Sequence, residues 1–251
     1  MKVSILIPAR MAATRFPGKP LSKISGKPMI QWVWERACAS RADRVIVATD
    51  SSEIFDAVQS FGGEAMMTAS THENGTQRIA EVAAQIETDL VINVQGDEPA
   101  ILPQSINSVI EPLIQSPDLE MSTLACPITG ERLFDPNLVK VVTDKQGDAL
   151  YFSRSPIPFR KHAGMDRIHW ETLQDDVHLQ HIGVYGFQRD FLLRYVAEPP
   201  CALERIEGLE QLRALYMGAR IHVEVVQHAS VGVDTPEDIP RAEQFLKQQG
   251  L

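Results

Sequence analysis

Three cations occupy a loop of small residues that follows the first apolar run of the chain. The run Val3–Ile7 predicts a buried parallel strand, and Arg10, Arg15 and Lys19 come soon after it. Ligands bind at the carboxyl ends of strands in open α/β sheets. Backbone N–H groups with guanidinium and ammonium groups around them suit a triphosphate. The spacing is not that of the P-loop, so a solvated basic loop remains the alternative on these residues alone.

Two aspartates follow other segments of the same kind. Asp97 lies in Gly-Asp-Glu-Pro at the end of the apolar run Leu90–Gln95, and Asp234 lies in Val-Asp-Thr-Pro-Glu-Asp. Carboxylates at a sheet edge are suited to hold Mg²⁺ against phosphate oxygens. The structural alternatives are a turn or capping role for Asp97, and Asp234 or Thr235 as the cap of a helix that Pro236 begins. Cations and aspartates together favour metal-dependent phosphoryl or nucleotidyl transfer.

Three further segments are compatible with ligand contacts without requiring them. The run 72–78 ends a loop and begins a helix, whose start could hold a base, ribose or carboxylate, although an arginine such as Arg78 is more often a surface charge than a ligand. Alternation places His181 and Tyr185 on one face of a strand, where they could simply be core. The run 207–213 is polar on a face that also presents leucines, which is typical of an amphipathic surface helix.

Composition excludes several classes of protein. The chain has 251 residues, 44% of them hydrophobic and 23% charged, which is ordinary for a globular protein. The net charge of −9 argues against a nucleic-acid binder. Three widely spaced cysteines, Cys38, Cys126 and Cys201, favour neither a disulfide framework nor a zinc site and fit a reducing compartment. The first apolar run is too short to span a membrane and no cleavage pattern follows it, so we expect a soluble cytoplasmic protein.

Strand and helix patterns alternate through the first half of the chain, which predicts a doubly wound, mostly parallel, Rossmann-like α/β sheet over about residues 1–130. The predicted strands are Val3–Ile7, Arg44–Thr49, Glu64–Met67, Leu90–Gln95 and Met121–Cys126, and the predicted helices are Met29–Ala39, Ser52–Ser60, Thr76–Ile86 and Gln104–Gln115. No internal repeat is visible.

The second half is less regular. Its predicted strands are Val139–Thr143, Ala149–Ser153, Ile182–Gln188 and Arg220–Val226, and its predicted helices are Leu203–Met217 and Pro236–Gln248. A polar, His-rich stretch from Arg160 to Gln180 is too polar for core. We interpret it as an insertion with a mobile loop or subunit contacts.

Six segments together resemble a known family, the cytidylyltransferases that activate 3-deoxy-manno-octulosonate (Kdo). They occur in order and at matching intervals: Ile7–Arg10 with Arg15 and Pro17–Pro20, Asn93–Pro99, Ala149–Arg154, His181–Gly186, Leu209–Arg213 and Gly232–Asp238. The resemblance covers nearly the whole chain. One departure is the run 74–78, Asn-Gly-Thr-Gln-Arg, where relatives often have Ser-Gly-Thr followed by an acidic residue and Arg. That departure concerns contacts to the sugar or base and not the reaction class.

The resemblance implies an activity, a cofactor and an assembly. CMP is transferred from CTP to the anomeric hydroxyl of Kdo with Mg²⁺, giving CMP-Kdo and pyrophosphate for lipopolysaccharide synthesis. The family has a nucleotide-diphospho-sugar transferase-like fold with a smaller dimerisation insertion, and its members are homodimers. We accordingly predict a single domain over residues 1–251, with a nucleotide-binding half at 1–130 and a sugar-binding and dimerisation half at 131–251.

The resemblance also implies roles for individual residues. Contacts to the nucleotide are expected from Pro8, Ala9, Arg10, Arg15, Lys19, Asn74, Gly75, Gln95 and Asp97. Contacts to the sugar are expected from Arg78, Gln95, His181, Tyr185, Glu210 and Gln211, with Arg78 on the Kdo carboxylate because a guanidinium can bind that group bidentately. Asp97 and Asp234 are the expected metal ligands, and catalysis is expected from Arg10, Lys19, Asp97 and Asp234. No general base is required if metal coordination generates the alkoxide.

Three alternatives remain open at this point. The acidic sugar could be 8-amino-Kdo or a sialic acid, which keeps the mechanism and changes the pocket. The enzyme could use a different nucleotide. The chain could also be a catalytically silent nucleotide-binding regulator, although its metal carboxylates and phosphate cations argue against that.

Overall fold

The computed structural model describes residues 1–12, 16–161 and 177–251. Its strands are β1 Val3–Ala9, β2 Lys23–Ile24, β3 Lys27–Pro28, β4 Arg44–Thr49, β5 Glu64–Met67, β6 Leu90–Asn93, β7 Met121–Pro127, β8 Lys140–Thr143, β9 Ala149–Ser153, β10 Leu179–Gln188 and β11 Ile221–Val225. Its α-helices are α1 Met29–Cys38, α2 Ser52–Ser60, α3 Gly75–Gln85, α4 Pro103–Gln115, α5 Arg189–Ala197, α6 Ala202–Glu207, α7 Gln211–Tyr216 and α8 Ile239–Gln248.

One large sheet carries the fold, with the strand order β11-β7-β10-β6-β1-β4-β5. The pairs among β6, β1, β4 and β5 are parallel, and so is the pair of β11 with β7. Strand β10 runs antiparallel between β6 and β7, and β8 and β9 extend the sheet beyond it. The predicted mostly parallel α/β sheet is therefore confirmed. Because β10 comes from the second half of the chain, one sheet runs through both halves.

Helices cover both faces of this sheet, as a doubly wound fold requires. Ile5 and Ile7 of β1 pack with α1, α2 and α4, whereas Leu6 between them packs with α3 and α5. Burial on both faces explains why β1 is an uninterrupted apolar run and not an alternating one. No helix in the described ranges is long and apolar enough to cross a membrane.

The ends of β1 and β6 differ from the predicted ends. Strand β1 continues through Pro8 to Ala9, in register with β4. Strand β6 already ends at Asn93, opposite Leu6. Proline cannot donate to a ladder, and here the neighbour on the β6 side has already left the ladder, so Pro8 fits within the strand.

The predicted helix Leu203–Met217 is wrong in one respect, because it is two short helices. Gly208 ends α6 in a left-handed conformation with φ of 63°, and its N–H donates to the Glu204 carbonyl at 2.7 Å. Glycine adopts this conformation without steric cost. After the break, Glu210 lies just before α7, and its carboxylate accepts a hydrogen bond from Thr76 Oγ1.

Two other element boundaries in the second half also differ from the predicted ones. Strand β10 starts at Leu179, inside the stretch interpreted as an insertion, because Leu179 and Gln180 pair with both β7 and β8. Most of that stretch, residues 162–176, lies outside the described residues, as does the loop at 13–15. Pro236 begins a 3₁₀ turn through Asp238 before α8 starts.

Candidate active site

A cavity of about 330 Å³ lies at the carboxyl ends of β1 and β6. Many of the predicted nucleotide and metal residues line it. They are Pro8, Ala9, Arg10, Lys19, Asn74, Gly75, Gln95, Asp97 and Asp234, together with Arg78. Arg10 is exposed at its rim. Arg15 lies outside the described residues, so its role stays a prediction.

Lys19 is placed in this first cavity by a glycine turn. Gly18 has φ of 72°, and its N–H donates to the Met11 carbonyl at 3.1 Å. Lys19 then begins a 3₁₀ turn that ends at Leu21. A side chain at Gly18 would be strained in this backbone conformation. The Pro-Gly-Lys-Pro run therefore fixes the direction in which the Lys19 ammonium points.

Two carboxylates far apart in sequence meet at that ammonium. Lys19 Nζ lies 2.7 Å from Asp97 Oδ2 and 3.5 Å from Asp234 Oδ1, and it donates to the Val233 carbonyl at 3.0 Å. A backbone bond brings the two segments together, because Val233 N–H donates to the Asp97 carbonyl at 2.9 Å. Thr235 and Asp238 form the cap of the following turn. These two residues therefore fill the capping role that was the structural alternative for this segment.

The donor set at this point fits Mg²⁺. In the described part of the chain, no group of three or more His, Cys, Asp or Glu side chains could hold a metal by itself. Mg²⁺ is commonly bound through one or two carboxylates with substrate phosphates completing its octahedron. Asp97 and Asp234 would supply the protein's part of such a shell.

Glu98 lies next to the two carboxylates of the first cavity, and the sequence interpretation gave it no role. Ser230 Oγ donates to its Oε2 at 2.5 Å. Burial, together with the neighbouring carboxylates Asp97 and Asp234, raises the pKa of Glu98 to about 7 against the lowering effects of Ser230 and Lys19. Its position directly after Asp97 was the available signal. Burial was not predictable from the motif, because it depends on the distant 230–234 segment.

Two glycines at the cavity allow chain segments to approach closely. A Cβ on Gly96 would lie 2.8 Å from the Pro8 carbonyl oxygen, a contact that backbone cannot relieve. A Cβ on Gly75 would lie 3.0 Å from Pro8 Cγ. Asn74 caps α3, since its Oδ1 accepts from Gln77 N–H at 2.9 Å. The start of α3 is therefore packed directly against the end of β1.

Arg78 is held in a buried ion pair beside the first cavity. Its guanidinium donates to Asp50 Oδ2 at 2.8 Å and to Thr68 Oγ1 at 2.5 Å, and its side chain is only 3% exposed. It belongs to the lining of the first cavity and not to that of the cavity described next. Its predicted contact with the sugar carboxylate stays a prediction.

A second cavity, of about 400 Å³, adjoins the first and shares Gly75 and Gln95 with it. The predicted sugar residues His181, Tyr185, Glu210 and Gln211 line this second cavity, as does Gln95. The sequence interpretation missed several other residues of its lining: Thr76, Asn137, Leu138, Val139, Gln180 and Tyr195. The residues at 137–139 follow a 3₁₀ turn and carry no motif of their own, so only the fold places them here.

His181 is a neutral ring at ordinary pH. Burial lowers its pKa to about 3. Its Nε2 lies 2.9 Å from Thr123 Oγ1, and the same hydroxyl lies 2.8 Å from the Val184 carbonyl. A hydroxyl has one hydrogen. With that hydrogen donated to the carbonyl, Nε2–H would donate to Thr123 and Nδ1 would be the acceptor of the ring.

Glu210 is supported from two sides. Thr76 Oγ1 donates to its Oε2 at 2.9 Å, and Tyr195 Oη donates to its backbone carbonyl at 2.8 Å. Burial raises the pKa of the Glu210 carboxyl, and also that of the Tyr185 phenol well above its ordinary value. The break at Gly208 thus places a partly buried acceptor in the second cavity, tied to the first turn of α3.

Known proteins are similar to this chain over its whole length. The family model described as "Cytidylyltransferase" matches residues 4–221. A 3-deoxy-manno-octulosonate cytidylyltransferase from Syntrophotalea carbinolica is 49% identical over 249 residues, covering 98% of this chain and 99% of that protein. A solved structure of CMP:2-keto-3-deoxy-manno-octonic acid synthetase complexed with CTP is 41% identical, with a TM-score of 0.92 over 99% of this chain and all of that one.

A more distant structure has the same fold. The 4-diphosphocytidyl-2C-methyl-D-erythritol synthase from Anaerococcus prevotii superimposes with a TM-score of 0.62 at 14% identity, covering 98% of each chain. The mixed sheet with two joined cavities at its edge therefore defines an α/β protein of the nucleotidyltransferase type. The chain belongs to the cytidylyltransferase family, among the 3-deoxy-manno-octulosonate cytidylyltransferases. The resemblance carried by the six sequence segments is confirmed.

Proposed function

We propose that the protein transfers CMP from CTP to the anomeric hydroxyl of Kdo, giving CMP-Kdo and pyrophosphate and so activating Kdo for lipopolysaccharide synthesis. The observation that carries the proposal is the pair of joined cavities in a chain of this family. One cavity gathers the charged groups that a triphosphate needs, and the other presents buried polar groups suited to a sugar acid. Gly75 and Gln95 stand where the two substrates would meet.

The first cavity suits CTP. Arg10 and Lys19 are the cations that would neutralise the β- and γ-phosphates, and the similar structure named above was solved with CTP. Mg²⁺ held by Asp97 and Asp234 would polarise the α-phosphate and lower the pKa of the sugar hydroxyl. Lys19 already lies between those carboxylates, where it can compensate their charge before substrates arrive.

The reaction needs positioning more than proton transfer. The anomeric hydroxyl of Kdo gives up its proton to water, its oxygen forms a bond to the α-phosphorus in line with the bond that breaks, and pyrophosphate leaves with the electron pair. Arg10 and Lys19 stabilise the charge that develops on the leaving group. His181 Nδ1, the Tyr185 phenol and the Glu210 carboxyl would orient the sugar by hydrogen bonds, because none of them needs to change its charge to do so.

A pyrophosphate-release assay tests this proposal directly. With CTP, Mg²⁺ and Kdo we expect steady turnover, and with ATP, GTP or UTP in place of CTP we expect little. Replacing Kdo by 8-amino-Kdo or a sialic acid distinguishes the acidic sugars. Absence of pyrophosphate release with CTP and every acidic sugar would overturn the proposal and leave a nucleotide-binding regulator.

We further propose that the protein is a cytoplasmic homodimer that pairs through its second half. Large apolar side chains are exposed there: Leu150, Phe159, Val177 and Ile206, which are 62%, 61%, 55% and 82% exposed. A two-fold dimer would cover them. The free thiols of all three cysteines fit a reducing compartment.

Light scattering tests the assembly, and a fully active monomer would contradict it. Each subunit should hold a complete set of phosphate and metal residues. Mixing Asp97→Asn chains with Lys19→Ala chains tests that point, because recovered activity would mean that the site is shared between subunits.

A further inference from the structure

Lys140, the first residue of β8, is a completely buried lysine that the reaction does not use. Its side chain is 0% exposed. Its ammonium donates to the backbone carbonyls of Leu138, Asp135 and Arg154 at 2.6, 3.0 and 2.5 Å. An ammonium has three N–H donors, so these three carbonyls use all of them. Burial lowers the pKa of Lys140, and the nearby charge of Asp135 opposes that effect.

The carbonyls that Lys140 binds come from two separate segments. Asp135 and Leu138 belong to the turn that precedes β8, whereas Arg154 follows β9. The guanidinium of Arg154 continues the same connection, because it donates to the carbonyls of Pro136 at 2.9 Å and Glu207 at 2.7 Å. Two cations thus hold the turn at 135–138, the end of β9 and the end of α6 by their backbone oxygens.

These segments continue into two walls of the second cavity. One wall is formed by 137–139, at the end of the turn that Lys140 holds, and another is formed by 208–211, directly after the carbonyl that Arg154 holds. Neither Lys140 nor Arg154 lines the cavity itself. The two cations therefore lie behind the walls and set their separation without touching what the cavity contains.

We propose that Lys140 is a positioning residue for the sugar acid, acting through the backbone of residues 135–139. This inference rests on the proposed assignment of the second cavity to Kdo. Burying an ammonium has a large desolvation cost, and a methionine of similar length would fill the space without that cost. The ammonium fixes the direction of the three carbonyl groups, because all three must point at one nitrogen atom. A methionine side chain imposes no such direction. The backbone that forms the cavity wall next to the sugar is then held in a single conformation.

The test compares Lys140→Met with Lys145→Met. Lys145 is exposed in the turn between β8 and β9, so the control makes the same chemical change in the same hairpin. For Lys140→Met we expect kcat/KM for Kdo at saturating CTP to fall by about tenfold or more, since small misplacements of a bound substrate are costly. The KM for CTP and its calorimetric affinity should remain within about twofold of wild type. The control should match wild type in all of these.

A second variant covers the case in which Lys140→Met does not fold. Lys140→Gln keeps a polar head with two N–H donors and should lie between wild type and Lys140→Met in kcat/KM for Kdo. Equal losses for both substrates, or an unchanged KM for Kdo in a folded variant with a lowered Tm, would show a merely structural lysine and overturn the inference. Failure of the wild-type protein to use Kdo would instead overturn the proposed function, so the two outcomes are distinct.

Discussion

The two cavities solve different physical problems. The first gathers opposite charges near solvent, with Lys19 between Asp97 and Asp234, and the Asp234 side chain is 58% exposed. The second is lined by groups whose burial disfavours charge, so His181 is neutral and the pKa of Glu210 is raised. Charged, partly solvated groups can rearrange around a triphosphate and a metal. Buried and partly buried polar groups select by hydrogen-bond geometry and shape, because each unpaired partner costs free energy.

The two cavities also differ in how they are assembled. The first joins loops that follow different strands, and one backbone bond between Val233 and Asp97 brings the distant carboxylates together. The second uses one face of β10 and a helix that is interrupted at Gly208. We therefore expect substitutions in the first to act on turnover and CTP use, and substitutions in the second to act on Kdo use.

The largest effect is expected at the proposed metal carboxylate. Asp97→Asn keeps the shape of the side chain and removes its charge, so kcat should fall on the order of 10²–10³-fold, comparable to loss of other charge-stabilising groups. The KM for Kdo should change little. Steady-state kinetics measure both values, and Asp56→Asn on the exposed face of α2 is the matched control. Substantial turnover by a well-folded Asp97→Asn enzyme would remove Asp97 from the proposed mechanism.

Lys19→Ala should damage CTP use more than Kdo use. A lost charge-assisted hydrogen bond costs about 1.5–3 kcal/mol, which corresponds to one to two decades in the KM for CTP. The exposed Lys23, a few residues later, provides the control Lys23→Ala. Both KM values are obtained by varying one substrate at saturation of the other. Equal increases in the two would contradict the division between the cavities.

Glu210→Gln should have the opposite selectivity and a smaller size. The change keeps the volume and replaces one acceptor oxygen by a donor, so we expect the KM for Kdo to rise by about tenfold, within the range for one buried hydrogen bond. The KM for CTP should stay near wild type, and so should both values in the control Glu53→Gln on α2. A CTP effect as large as the Kdo effect would place Glu210 on the nucleotide side.

The smallest effect concerns stability and pH. Because the pKa of His181 is about 3 when folded, against an ordinary 6.5, the unfolded chain binds a proton between these values that the folded chain excludes. The contribution of the neutral ring is fully present above pH 6.5 and is lost as the pH falls. Between about pH 6.5 and about pH 5.5 the loss should be about 1 kcal/mol.

Urea unfolding of His181→Gln measures this effect, since the variant should lose about 1 kcal/mol less than wild type over the same pH interval. The exposed His228 provides the control His228→Gln, which should keep the wild-type pH dependence. An unchanged pH dependence in His181→Gln would mean that the pKa of His181 is the same in the folded and unfolded chain, and would contradict the lowering by burial.

Much of the fold was predictable because its signals are local. The bounds of β4, β5 and α2 are those expected from apolar runs and the residues that end them. The convergence of Lys19 and Asp97 on one edge followed from the rule for parallel strands. The continuation of β1 through Pro8 and the break at Gly208 were not predictable, because each depends on where a neighbouring segment ends or packs.

The sequence by itself determined the class of sheet, the edge at which ligands bind and the residue types that meet there, since alternation, apolar runs and strand-end polar residues are properties of short segments. Only the tertiary structure decided which partners those residues have. It paired Arg78 with Asp50 beside the first cavity, brought Asp234 to Lys19 through a backbone bond, and buried Lys140 behind the wall of the second. These outcomes depend on contacts between residues distant in the chain, and no short segment contains the information about which surface will be close enough to bury a charge or satisfy it.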